Sequence, residues 1–133
     1  KQKTVEKSYN PDVKLLQASD RIGCYDTPIA QYQLTKQCTN RLKKFFKNRK
    51  EAKYYELIGV VGDKDFKVLK DYDKEERIDS THYLLIAGLS QLRSLEAYWE
   101  LRQLINSDVN VKIANYTLES TQGKRGFVIR IYD

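Results

Sequence analysis

Residues 53–66 read KYYELIGVVGDKDF, and this stretch decides the fold. Aromatic and β-branched side chains dominate its first ten residues, which predicts a buried β-strand that closes on Gly62. Two aspartates, Asp63 and Asp65, follow at once. Asp65 is either a turn residue, as aspartates often are behind a strand, or part of a binding site. The rest of the chain has to distinguish these two hypotheses.

Two elements are predicted ahead of this strand. Residues 1–19 are polar and form a lead-in or linker, in which residues 11–18 could add a short strand. Residues 21–27, RIGCYDT, are apolar and bounded by turn residues, which predicts the first strand of the main fold. Residues 28–50 predict an amphipathic helix that ends in a basic run, because apolar side chains recur at threes and fours. These apolar positions are Ile29, Leu34, Cys38, Leu42, Phe45 and Phe46.

A loop and a long helix are predicted behind the strand. Residues 63–79 are charged and show no clear period, which predicts a loop. The helix covers residues 80–106, with Asp79 or Ser80 as its N-cap. Gly88 within the helix indicates close packing, since glycine weakens a helix by about 1 kcal/mol relative to alanine. The apolar face of this helix carries Leu85, Leu89, Leu92 and Trp99, with Leu95 beside them.

Two alternating segments close the chain. Residues 108–118 and 127–133 alternate apolar and polar side chains, and the glycines between them predict a hairpin or near-hairpin. The resulting order is β-α-β-α-β-β. This order predicts an α+β sandwich in which two helices pack on one face of a mixed sheet.

The composition limits the class of function. The chain has 133 residues, 41% of them hydrophobic, and a formal charge of +6. The charge suits an anionic partner but is also common among ordinary domains. No apolar run is long enough for a membrane span. The chain lacks methionine, so we expect it to be a piece of a longer protein. His82 is the single histidine and has no nucleophile motif around it, so we expect no enzyme, no cofactor and no metal.

Cys24 and Cys38 are the two cysteines of the chain. An even pair in a small domain is typical of a disulfide if the compartment is oxidising. The alternative is two free thiols, with Cys38 on the apolar side of its helix. The spacing does not fit a zinc site. We favour the disulfide, which would stabilise the fold by roughly 3 kcal/mol.

The order of elements and three short motifs resemble the OmpA-like peptidoglycan-binding domain. This family occurs at the end of outer-membrane porins, peptidoglycan-associated lipoproteins and flagellar stator proteins. Residues 62–65, GDKD, stand where the family has Gly-His-Thr-Asp, and residues 89–94, LSQLRS, where it has Leu-Ser-x-x-Arg-Ala. Residues 124–127, KRGF, echo Asn-Arg-Arg-Val at the final strand. The resemblance covers residues 20–133 as one OmpA-like domain.

The resemblance implies a ligand site. In the family, the aspartate and the helix arginine hold the two ends of diaminopimelate, the zwitterionic amino acid of the peptidoglycan stem. Carried over, Asp65 takes the ligand ammonium and Arg93 takes its carboxylate through a planar fork. Arg125 is a third, weaker candidate. The two main residues would then contact the ligand and not each other. The implied function is a periplasmic, cell-envelope module that anchors a larger envelope protein to peptidoglycan.

Several alternatives remain open. Asp63 and Lys64 replace His and Thr of the family motif, which favours an OmpA-like scaffold for envelope proteins, or for itself as a homo-oligomer, with peptidoglycan binding lost. The basic residues 41–53 could instead bind nucleic acid, although no recognition motif accompanies them. Arg93 could be a surface residue paired with Glu96 three positions on. The acidic residues 63–76 are best interpreted as a solvated loop, since they lack the glycine and closing glutamate of an EF-hand loop.

Overall fold

The computed structural model describes residues 17–73 and 81–133. The predicted strand within residues 11–18 and the cap at Asp79 or Ser80 lie wholly or largely outside these residues, as does the side chain of His82. The elements in chain order are β1 (Asp20–Cys24), α1 (Lys36–Phe46), β2 (Tyr54–Gly62), α2 (Asp63–Leu69), a short 3-10 helix (Lys70–Asp73), α3 (Thr81–Arg102), β3 (Asn110–Ser120) and β4 (Gly126–Tyr132).

The four strands form one mixed sheet in the order β1-β4-β2-β3. β2 is parallel to β3 and antiparallel to β4, and β1 is antiparallel to β4. The predicted α+β class with a mixed sheet is therefore confirmed. The predicted hairpin of the last two strands is wrong, because β2 lies between β3 and β4. β2 is thus a central strand, in agreement with its nearly continuous apolar sequence.

The connection between β3 and β4 has to cross the end of β2, and Gly62 makes room for it. A Cβ added at Gly62 would lie 3.0 Å from the carbonyl oxygen of Lys124 and 3.1 Å from Cγ of Arg125. Gly123 in the connection has φ +76°, a value that glycine adopts readily. Gly123, one of the glycines that indicated a hairpin, therefore lies in a connection that crosses the end of β2.

The main hydrophobic core lies between the sheet and the helices. α1 contributes Cys38, Leu42 and Phe46 on its buried side, and α3 contributes Ala97 and Leu101. Because both sets belong to one cluster, α1 and α3 pack on the same face of the sheet. The sheet side of this cluster includes Tyr55, Leu57, Phe127, Ile129 and Ile131, as the alternation of the last strand predicted.

A second cluster lies on the opposite face of the sheet. It contains Ile58 and Val60, which alternate with Leu57 along β2, together with Ala114, Leu118 and Val128. The alternation groups Ile113 with Val109 and Val111, and Ile113 pairs with Leu57, but Ile113 is 38% exposed whereas Val109, just ahead of β3, is buried. The pairing partners jump from Ile113 to Thr117 while β2 advances only from Leu57 to Gly59. The irregularity inserts two extra residues into β3, an even number, so its side chains alternate between the two faces of the sheet in the same way on both sides of it.

The buried side of α3 is not the apolar face that the sequence predicted. Leu89 is buried, but Leu92, Leu95 and Trp99 are exposed. The prediction of close packing at Gly88 is also wrong, because nothing lies within 4 Å of a Cβ added there. The close approach occurs at Gly59 of β2, where an added Cβ would overlap the hydroxyl and carbonyl groups of Ser90.

Two predicted boundaries change. Residues 63–73 are helical, in α2 and the 3-10 helix, and do not form a loop. α1 begins only at Lys36, where the hydroxyl of Thr35 accepts a hydrogen bond from the N–H of Cys38 at 3.1 Å. Residues 28–35 therefore form a loop, and Ile29 within it is 38% exposed.

Cys24 at the end of β1 and Cys38 in the first turn of α1 form a disulfide with a Cα–Cα distance of 5.7 Å. The predicted disulfide is confirmed, and it closes a loop over residues 25–37. No helix within residues 17–73 and 81–133 combines the length and apolar character that a membrane span requires.

Candidate functional site

Asp65 lies in the first turn of α2, directly behind the central strand. Its carboxylate oxygen Oδ2 accepts a hydrogen bond from the backbone N–H of Gly62 at 2.9 Å. Gly62 is the N-cap of the helix and Asp65 occupies position N3, so the carboxylate satisfies an N–H at the helix start. A negative charge is also favourable at this end of the helix dipole. The side chain is completely buried.

Arg93 reaches the same point from the buried side of α3. Its Nη1 donates to Asp65 Oδ2 at 2.7 Å, and its Nη2 donates to Asp65 Oδ1 at 3.0 Å. The side chains of both residues are 0% exposed. The structure therefore joins Asp65 and Arg93 in a buried, two-bond ion pair, the geometry in which a guanidinium binds a carboxylate most strongly.

This pair corrects two expectations about Arg93. The expectation that Asp65 and Arg93 do not contact each other is wrong, whereas their contact with the two ends of a ligand stays a prediction. The alternative of a surface ion pair between Arg93 and Glu96 is wrong as well, because Arg93 is fully buried. The two residues meet because Gly59 brings α3 close to β2, so that the turn of α3 that carries Arg93 lies near the end of the strand.

The remaining donors of Arg93 bind main-chain carbonyl groups. Nη1 donates to the carbonyl of Val60 at 2.9 Å, Nε to that of Gln31 at 2.7 Å, and Nη2 to that of Pro28 at 3.3 Å. A guanidinium has five N–H donors. With the two bonds to Asp65, all of them are used.

Residues 27–31, the covering segment, lie over the pair. The N–H of Ala30 donates to Asp65 Oδ1 at 2.7 Å. Ala30 has φ 57°, a left-handed conformation that is uncommon outside glycine. Such a conformation persists where surrounding contacts hold it, and here the bonds to Asp65 and Arg93 do so. The side chains of Ile29 and Gln31 are exposed, so the segment turns its backbone toward the pair.

Arg125, the third predicted residue, binds the same segment. It is half-buried, and its Nε donates to the carbonyl of Thr27 at 2.9 Å. The N–H of Thr27 in turn donates to the carbonyl of Arg125 at 3.0 Å. Asp65, Arg93 and Arg125 thus converge on one stretch of backbone. Whether they bind a separate ligand stays a prediction.

The disulfide fastens both ends of the loop to which the covering segment belongs. Cys24 precedes the segment and Cys38 follows it, and residues 25–37 lie between them. Near the end of this loop, the Thr35 hydroxyl donates to Asp26 Oδ2 at 2.8 Å. The loop that covers the ion pair is therefore closed covalently at its base.

Burial and hydrogen bonding act in opposite directions on Asp65. Burial raises the pKa of the Asp65 carboxyl, but the hydrogen bonds from Arg93, Ala30 and Gly62 outweigh it and lower the pKa below its ordinary value. The carboxylate is therefore ionised at neutral pH. Each of its oxygens accepts two hydrogen bonds, so it has no free position for a cation or a substrate proton.

Sequence reasoning found the three side chains but missed their partners. The partners are main-chain groups of Thr27, Pro28, Ala30 and Gln31. Every residue has a backbone carbonyl, and every residue except proline has a backbone N–H, so no side-chain pattern in the sequence identifies these partners. The one local signal is the disulfide spacing, which indicates that residues 25–37 are held as a closed loop.

Comparison with other proteins does not extend this description. No family model matches the chain, and no curated protein or solved structure is significantly similar to it. The OmpA-like resemblance therefore rests on the motifs at residues 62–65, 89–94 and 124–127 and on the order of elements. It stays a hypothesis about function.

Proposed function

We propose that this chain is a non-catalytic, OmpA-like module of the cell envelope that serves as a scaffold for protein contacts. In this proposal Asp65 and Arg93, which the resemblance implies as ligand contacts, bind each other and stabilise the fold. The observation that carries the proposal is that every hydrogen-bonding position of these two side chains is already occupied by groups of the protein. Arg93 uses all its N–H donors inside the protein, and both oxygens of Asp65 are occupied. A zwitterionic ligand would have to replace these bonds.

Two further features support an envelope module. The four-stranded mixed sheet with helices agrees with the predicted α+β class. The disulfide between Cys24 and Cys38 is typical of proteins that mature in an oxidising compartment such as the periplasm. The same disulfide argues against a cytosolic nucleic-acid-binding domain. The saturated carboxylate of Asp65 supports the non-catalytic assignment, because a general base needs a free acceptor position.

The covering segment also supports a second candidate, which is peptidoglycan binding after the segment moves. The N–H of Ala30 approaches Asp65 as a ligand ammonium would, and the carbonyls of Pro28 and Gln31 approach Arg93 as acceptors would. The diaminopimelate of the peptide stem offers an ammonium in place of the N–H donor and a carboxylate in place of the carbonyl acceptors, and both carry full charges. In this candidate the segment is an internal ligand that peptidoglycan displaces.

Sedimentation with purified peptidoglycan sacculi distinguishes the two candidates. The scaffold proposal expects the wild-type domain to stay in the supernatant, together with a Cys24→Ala/Cys38→Ala variant whose loop is no longer fastened. The displacement candidate expects the loop-released variant to sediment, and expects Arg93→Lys in that background to abolish sedimentation. Sedimentation of the wild type that Arg93→Lys removes would overturn the scaffold proposal.

A further inference from the structure

The outward side of α3 is an uncharged stripe along the surface. Leu84 is 65% exposed, Trp99 57%, Leu92 43% and Leu95 39%, and we call these four residues the apolar stripe. From Leu84 to Trp99, each exposed residue of the helix is uncharged, although 32% of the chain is charged. At 1.5 Å per residue the stripe is about 22 Å long. Exposed apolar surface in such a row typically marks an interaction site.

The outward side of α1 is basic. Its buried residues Cys38, Leu42 and Phe46 face the sheet. Its other side carries exposed lysines and contains no aspartate or glutamate. Its exposed lysines are Lys36, Lys43 and Lys44, together with Lys47 at the C-cap, and we call these four residues the basic face.

The apolar stripe and the basic face lie on the same side of the molecule. One hydrophobic cluster joins Leu42 and Phe46 of α1 to Ala97 and Leu101 of α3, so both helices cover one face of the sheet. Their exposed sides therefore both point away from the sheet. The outer surface of the helix layer combines apolar side chains from one helix with cations from its neighbour.

We propose that this outer surface docks onto an anionic lipid bilayer. The leucines and Trp99 enter the boundary between headgroups and acyl chains, where tryptophan is preferred, and the lysines of the basic face contact lipid phosphates. The proposal rests on charge complementarity together with the stripe. It is independent of the scaffold proposal, because it uses neither Asp65 nor Arg93.

The same surface fits other occupants less well. A second copy of the chain would bring two basic faces together, each within a molecule of formal charge +6. A nucleic acid would attract the lysines but would meet the uncharged stripe with phosphate and sugar, whereas nucleic-acid interfaces are polar and strongly positive. A bilayer offers both an anionic surface and an apolar layer beneath it.

Trp99 makes the proposal directly measurable, because it is the single tryptophan of the chain. We would titrate the purified chain with vesicles of phosphatidylcholine and with vesicles that also contain phosphatidylglycerol. Tryptophan emission should shift to the blue and become protected from iodide only with the anionic vesicles. The binding should weaken as salt is added, since added ions screen the lysines.

Two sets of variants separate the contributions of charge and apolar contact. Lys43→Gln/Lys44→Gln/Lys47→Gln should weaken vesicle binding on the order of 100-fold, as three cations at about 1 kcal/mol each imply. A matched triple variant, Lys64→Gln/Lys67→Gln/Lys112→Gln, removes the same charge from exposed positions outside α1 and α3 and should bind nearly as the wild type does. Leu92→Gln/Leu95→Gln should reduce the emission shift while leaving the fold intact.

Four results would overturn the proposal. The first is an unchanged emission spectrum with anionic vesicles. The second is equal weakening by the two triple lysine variants. The third is concentration-dependent dimerisation that shifts Trp99 emission without lipid, which would assign the stripe to a second copy. The fourth is tight, salt-sensitive binding of single-stranded DNA by a chain that ignores the vesicles.

Discussion

Asp65 and Arg93 lie 28 residues apart in sequence and meet as a completely buried ion pair. The pair links the start of α2 to the middle of α3, and through the carbonyls of Pro28 and Gln31 it also holds the covering segment. Two buried charges are an advantage only if their geometry is good and their remaining hydrogen-bonding groups are satisfied. Both conditions are met here, so the pair should matter for stability.

Removal of either charge should destabilise the protein strongly. Arg93→Ala and Asp65→Ala should each lower the free energy of unfolding by about 3–5 kcal/mol, because each leaves an unpaired buried charge. Arg93→Lys should also destabilise, since an ammonium has three donors and cannot form the planar fork. Chemical denaturation of the three variants measures the losses.

A double variant tests whether the two residues act as a unit. Asp65→Ala/Arg93→Ala should be less destabilising than the sum of the two single losses, because no isolated charge remains. Losses that simply add would contradict the pairing. The exposed pair between Arg49 and Asp20 is a suitable control, since Asp20→Ala should change stability little.

The lowered pKa of Asp65 predicts a loss of stability in acid. Between the native pKa and the unfolded value of about 3.9, the unfolded state binds more protons than the native state, so stability rises with pH. The contribution of Asp65 is fully present above the unfolded value and is lost as pH falls through the native value. Denaturant unfolding between pH 2 and about 7 should therefore show a decline below about pH 4.

Asp65→Asn identifies the source of this acid decline. The variant should be less stable than the wild type at neutral pH, and the difference should shrink as the pH falls. Glu56 acts in the opposite direction, because burial raises the pKa of its carboxyl and favours the protonated native form. A difference between wild type and Asp65→Asn that does not depend on pH would contradict the ionised pair.

The sequence predicted those features that depend on side-chain pattern. The central strand was predictable because residues 54–62 are almost continuously apolar or aromatic, and the disulfide because the cysteines are an even, closely spaced pair. The buried side of α3 was not predictable from hydrophobicity, since it includes Ser90, Arg93 and Ser94. Arginine is almost never fully buried unless it is paired, so the pattern favours the leucine side.

The strand order and the site depend on relations that a linear pattern does not contain. β3 and β4 pair with opposite edges of β2 and not with each other. The short glycine-containing connection between them would suit a hairpin equally well. The covering segment contributes backbone groups alone. These features follow from long-range packing, such as the contact between Gly59 and α3.

Two glycines allow a direct test of that packing. Gly88→Ala should stabilise the protein by about 0.5–1 kcal/mol, because the position is helical and the space beside it is open. Gly59→Ala should destabilise by about 1–3 kcal/mol or more, since the added methyl group overlaps Ser90. Thermal unfolding of both variants gives the comparison. Equal effects of the two substitutions would show that α3 does not approach β2 at Gly59.

Removal of the disulfide should loosen the covering segment more than the rest of the fold. Cys24→Ala/Cys38→Ala should lower the free energy of unfolding by about 3 kcal/mol, the loop-entropy value for a closed loop of this size, with a sequence separation of 14. The freed loop should then open locally, so that the amide of Ala30 exchanges with solvent at a lower free energy than global unfolding. The amide of Gly62, which is also bound to Asp65, is the control.

Native-state hydrogen exchange distinguishes local opening from a general loss of stability. If the disulfide fastens the segment, the amide of Ala30 should exchange faster in the variant than the loss of global stability explains. The exchange rate of the Gly62 amide should change only as much as the global stability does. A parallel change at both amides would mean that the segment is held by Arg93 and Asp65 without help from the disulfide. In that case, displacement of the segment by a ligand would require the ion pair itself to open.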